Sequence, residues 1–165
     1  MESLRRAFAG RGLGAPLGWD AVRAFEAEHG VAVPEPYRTF TALVGDGCAE
    51  GPPAYGLARL ADTVPEGWRP DVPFPLTEAL LWDDAEDLES GEPDVRNGCL
   101  LLGTDGCAMD WVLVVAGEQL GHVWLVTDAG ALPFGRPFGH TGGTPGFDGW
   151  AAHWAAGRDW FDRRA

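Results

Sequence analysis

Apolar residues are densest in residues 98–126, where they fall in continuous short runs. Three short apolar runs are separated by turns marked with glycine and aspartate, the pattern of consecutive antiparallel strands. In the middle run Trp111, Leu113 and Val115 point one way, and Val112 and Val114 the other. A strand apolar on both faces belongs in the middle of a sheet covered on both sides. The rest of the chain must supply both covers.

Helical spacing appears before and after this block. Over residues 19–29, Trp19, Val22 and Phe25 form one stripe, with Arg23, Glu26 and Glu28 off it. Gly18 or Asp20 can cap the start, and Gly30 can end the helix in the left-handed conformation. After an extended link at 31–33, Pro34 and Pro36 open a second helix, because proline's missing N–H costs nothing in a first turn. Tyr37, Phe40, Leu43 and Val44 make its apolar face, and Gly45, Asp46 and Gly47 stop it. A last helix is expected over 149–161, capped by Asp148, with Trp150 and Trp154 on the face that covers the sheet.

The remaining segments read as connections. Residues 1–18 hold a helical fragment with Leu4 and Phe8, then a glycine-rich link, and are expected to be loosely attached. Residues 48–75 are irregular, with Tyr55, Gly56, Leu57 and Leu60 as a short edge strand entered through Pro52 and Pro53. Residues 76–82 are strand or one helical turn. The acidic run 83–94 should be a solvated loop, and 128–147 a loop rich in Gly and Pro. Gly10, Gly12 and Gly14 follow no strand, and residues 138–146 lack the Gly-Lys-Ser/Thr ending of a phosphate loop, so neither reads as a nucleotide site. The length fits one domain over residues 1–165.

Charge narrows the partners. Twelve basic residues, all arginine, against 25 acidic ones leave a net charge of −13. No basic stripe exists to displace phosphate counterions, which argues against direct nucleic-acid binding and against an anionic membrane surface. The field favours a cationic protein. Cys48, Cys99 and Cys107 are odd in number and lack zinc spacing, so they read as free thiols of a reducing cytoplasm. The first residues lack the apolar core of a secretory signal, and no run approaches the ~18 apolar residues of a membrane span. A cytoplasmic location is therefore expected.

Catalytic patterns are weak. The two serines, Ser3 and Ser90, lie outside any nucleophile turn. Cys99 or Cys107 could approach His122 across adjacent strands, but no pattern supplies an orienting acid. His29, His122, His140 and His153 are scattered, and the acidic run lacks the ligand alternation of a calcium loop. Asp46, Glu50, Asp105 and Asp110 all lie beside turns, where proximity is expected by chance. No catalytic, cofactor or metal residue is assigned, and a small hydrolase or metal-dependent enzyme is the weakest reading. Trp111, Trp124, Trp150 and Trp154 fall in periodic segments and read as core. Trp68 and Trp82 do not. Trp82, exposed beside the acidic run, would be an interface anchor.

The order of motifs resembles the SUKH superfamily, the group of the fungal Smi/Knr regulators and many bacterial proteins. The resemblance rests on Phe25 and Glu26 with Gly30, then Val33, Pro34, Tyr37, Arg38 and Phe40, then Gly45 and Gly47. It continues through Tyr55, Gly56 and Leu57, the Pro73 to Leu76 stretch, Gly98 to Leu102, Gly106 and Cys107, Leu113 to Gly117, and Gly121 to Trp124. It closes with Phe147, Trp150 and Trp154. It implies an α+β fold, with N-terminal helices and a C-terminal helix packed on a mostly antiparallel sheet. It also implies a cytoplasmic binding protein of the immunity type, which neutralises a cognate bacterial toxin by occlusion. A housekeeping scaffold for an endogenous protein is the alternative. The family's contact positions vary, so none is carried over. From charge and exposure, the expected partner surface is Trp82, Asp83, Asp84, Glu86 and Asp87, with Asp46 and Glu50 as second choices, facing a basic toxin domain.

Overall fold

The computed structural model describes residues 1–85, 93–135 and 144–160. Helices α1 (Glu2–Ala7), α2 (Trp19–His29) and α3 (Tyr37–Leu43) come first. A 3-10 turn at Leu60–Asp62 follows, then strand β1 (Leu80–Leu81) and the single turn α4 (Trp82–Ala85). Strands β2 (Cys99–Gly106), β3 (Met109–Val114), β4 (Val123–Val126) and β5 (Gly130–Pro133) precede helix α5 (Phe147–Ala155). The strands form one antiparallel sheet in the order β1-β5-β4-β3-β2. The fold is α+β.

Period-two burial carries through as expected. Trp111, Leu113 and Val115 join Leu100, Leu102, Val123 and Leu125 in the larger core cluster, with Phe8, Phe25, Tyr37, Phe40, Phe147 and Trp150 from the helical segments. Val112 and Val114 join Cys99, Trp124 and Ala131 in a second cluster on the other face. Among the described residues, the helical contribution to that face is Trp82 of the single turn α4. Phe74 and Leu76 from the proline-rich segment close it, assisted by Trp68, Leu80, Trp82 and Val95. Strand β3 is interior, one place from the centre, and β4 is the middle strand.

Residues 1–18 are not loosely attached. Leu4 and Phe8 are buried, and the Phe8 ring lies 4.9 Å from Phe40 and 5.6 Å from Trp154. Further along, the amide of Gly14 donates to the carbonyl of Gly47 at 2.9 Å, and those of Leu17 and Gly18 donate to Thr41 and Ala42. A side chain at position 14 would lie about 2.1 Å from the Asp46 carbonyl, so glycine is required there. The glycine spacing serves close backbone packing and not a linker's freedom.

Other departures have local causes. Leu43 is 46% exposed, because the buried face of α3 is Tyr37, Phe40, Thr41 and Ala42. Strand β5 arises inside the stretch read as loop. Only Ala131 and Leu132 sit between Gly130 and Pro133, too few residues to show a period. Residues 55–58 follow the β2 edge through Tyr55 N–H to Thr104 and Ala58 N–H to Leu102, without forming a regular strand. Leu60 opens the 3-10 turn instead. Helix α5 starts at Phe147 with Gly146 as its cap, so Asp148 lies inside the first turn. Gly30 ends α2 in the left-handed region as expected.

Candidate protein-binding surface

Strand β1 and the turn α4 place the expected acidic surface. Trp82 does not stand free. Its indole Nε1–H donates to the Thr127 carbonyl at 2.8 Å, its amide donates to Ala129 at 3.1 Å, and its ring packs on the second core cluster. A tryptophan at the margin of a sheet gains more from covering this apolar cluster than from facing water. The anchor role expected of Trp82 is thereby corrected to a positioning one. Its two bonds bracket Asp128 in the turn between β4 and β5, so they draw that turn up against α4.

Leu81, the residue before it, is the apolar group left outside. It is 50% exposed, on the edge strand, with its side chain lying over Gly130. Asp83 and Asp128 are exposed, as is Glu78 ahead of β1. Thr127 holds the turn, its Oγ1 accepting the amides of Ala129 and Gly130 at 3.0 and 3.2 Å. Asp84 follows Asp83 in α4, while Glu86 and Asp87 lie outside the described residues. At the far end of the acidic run, Asp94 is engaged. Arg96 donates two guanidinium bonds to it at 2.8 and 2.9 Å, which hold its carboxyl below the usual range. Sequence reading missed Leu81 and Asp128. The Leu80, Leu81, Trp82 run was a visible signal; Asp128 needed the β1 to β5 pairing.

Asp46 and Glu50 separate in the structure. Asp46 is only 5% exposed; its Oδ1 accepts the Leu60 amide at 2.7 Å, and Arg59 approaches Oδ2 at 3.6 Å. It fixes the start of the 3-10 turn and, so buried, leaves little surface for the contact expected of it. Glu50 is exposed, but on another part of the molecule, beside Gly12.

The proposed chemical pairs are not assembled among the described residues. Cys99 is buried in the second core cluster, and burial pushes its thiol well above the ordinary range. Cys107 is exposed in the β2–β3 turn, while the His122 Nδ1 lies 2.8 Å from the Gln119 side-chain oxygen. Asp105 is a structural acceptor, taking the Trp111 Nε1–H and the Ala54 amide, both at 2.7 Å. No group of three or more metal-ligating side chains occurs among the described residues. No helix among them is long and apolar enough to cross a membrane. No protein-family model, curated protein or solved structure matches the chain.

Proposed function

We propose that this protein binds a cationic protein through the acidic edge at β1 and α4, as an immunity-type module that occludes a basic toxin domain. The observation that carries the reading is Leu81. It is half exposed on an edge strand, next in the chain but one to the exposed Asp83, and Trp82 is bonded to both neighbours of the exposed Asp128. An exposed apolar residue on an edge that also carries exposed carboxylates can serve as a small interface core with a polar rim. The acidic field steers a basic partner to that edge and mimics the charge a nuclease would meet on its substrate. The resemblance of the motif order to that of SUKH proteins supports the same reading. Binding, and not turnover, is the activity proposed.

The test is association with a cationic toxin domain encoded beside this gene, combined with rescue of cells expressing that toxin. Reversing Asp83, Asp84, Glu86 and Asp87 to arginine should slow association by about tenfold or more at low salt and flatten its salt dependence. Leu81→Asp should mainly speed dissociation. Unchanged kinetics in both variants would remove this surface from the interface, and absence of rescue would remove the immunity reading.

A further inference from the structure

Helix α2 and the 3-10 turn leave between them a second concave surface, on the helical layer. It is a cleft of about 540 Å³, within the roughly 300–1,000 Å³ range of ligand sites. Leu17, Ala21, Ala24 and Phe25 form one wall, and Leu60 and Val64 the other. Phe25 and Leu60 are core residues, so the floor is held rigidly. Ala21 and Ala24 are exposed. Ala21, Ala24 and Glu28 follow helical spacing on α2, with Leu17 just ahead of its cap Gly18; on a solvated helix such a face would carry charge. Of these four residues only Glu28 is charged.

The rim has the opposite character. Glu28 lines the cleft at the C-terminal end of α2, where the His29 ring lies 4.4 Å from Phe25. Asp62 and Glu66 are exposed beside Ala61 and beyond Val64. Arg23 is paired with Asp20, so its charge is offset. An apolar cleft with Glu28 on its lining, and with exposed Asp62 and Glu66 close in the chain to Ala61 and Val64, fits a helix whose apolar stripe enters the groove and whose flanking cations meet these carboxylates. A second copy of this chain is disfavoured, since each copy carries a charge of −13.

We propose that this cleft docks an amphipathic, cationic helical segment of a partner protein. The site stands apart from the β1 edge. Phe25 and Leu60 belong to the larger core cluster, whereas Trp82 packs on the cluster across the sheet. The two surfaces can therefore be tested separately.

The experiment titrates the full-length ¹⁵N-labelled protein with a synthetic peptide of about 16 residues, long enough to hold a helix. The peptide carries leucines at i, i+3, i+4 and i+7 and lysines on the flanks. Saturable amide shifts are expected at Ala21, Ala24, Phe25, Glu28 and Ala61. A peptide of the same composition with scrambled leucines should bind at least about tenfold more weakly, and one with glutamate for lysine should not bind. Ala24→Arg, at an exposed helical position that tolerates arginine, should weaken binding by about tenfold or more. Glu28→Lys should weaken it by roughly threefold at low salt. Ala152→Arg, on the exposed side of α5, should leave affinity unchanged. The proposal is overturned by lack of saturable binding, by equal affinity for the scrambled peptide, or by an Ala24→Arg variant that binds like the parent. Shifts confined to Leu81 and Asp83 would also overturn it, while supporting the β1 edge as the cationic site.

Discussion

Replacing Phe8 by alanine separates a docked N-terminus from a loosely attached one. Phe8 is 1% exposed, and its ring contacts Phe40, Trp154 and Phe147 at centroid distances of 4.9, 5.6 and 6.3 Å. Truncating a buried phenylalanine costs about 3–5 kcal/mol, a figure that already includes its aromatic pairs. The site lies next to a short terminal helix that can settle into the space, so the low end, about 3 kcal/mol, is expected. Helix α1 is six residues long and cannot persist alone, so losing its anchor should also free the segment and wet Phe40 and Phe147. With a urea slope of about 2 kcal/mol/M, the midpoint should fall by roughly 1.5 M. Tryptophan fluorescence and far-ultraviolet circular dichroism should give coincident transitions, which justifies the conversion to free energy. Arg5→Ala, on the exposed side of the same helix, should shift stability by under about 0.5 kcal/mol. A midpoint change below about 0.3 M for Phe8→Ala, with the slope unchanged, would refute the docking argument.

Two further outcomes follow from the settings of titratable groups. Glu26 accepts two bonds from Arg38, at 2.7 and 2.8 Å, and one from the Val33 amide at 3.0 Å. The Arg38 bonds chiefly hold its carboxyl below the ordinary 4.5, against the opposing effect of burial. A depressed folded value stabilises the protein fully above the unfolded value and is lost as pH falls through the folded one. Glu26→Gln should therefore be less stable than the parent at neutral pH, with the gap closing in acid; a gap in melting temperature that stays constant down to about pH 3 would contradict this. The three thiols should also separate by reactivity. Cys107 is exposed, whereas Cys48 and Cys99 are buried with thiols pushed up by burial. A thiol reagent should consume one cysteine quickly in the native protein and three in denaturant, and fast reaction of two or more in the native state would disprove the burial pattern.

The elements with strong periods were legible in the chain. The unbroken apolar run from Trp111 to Val115 specified a strand buried on both faces, because successive side chains in a strand point to opposite sides. Trp19, Val22 and Phe25, closed by Gly30, specified a helix in the same way. Strand β5 was not legible. Two apolar residues carry no period, and the strand exists because Val126 and Leu80 both find Ala131 as a partner. Residues 1–18 misled for a related reason. Glycines at 12 and 14 read as freedom, while the backbone contact that requires Gly14 lies over thirty residues away in the chain.

The candidate surface shows the same division. Charge and its sign are summed along the chain, so the sequence by itself determined a strongly acidic protein suited to cationic partners, with an acidic run beginning at Asp83. Exposure depends on what each side chain meets after folding. Only the tertiary structure turned Trp82 inward to Thr127, buried Asp46 beneath Leu60, and left Leu81 outside beside Asp128. It also opened the cleft between α2 and the 3-10 turn, whose two walls are some forty residues apart in sequence. Such sites are made by juxtaposition across long loops, and no local pattern encodes which segments will meet.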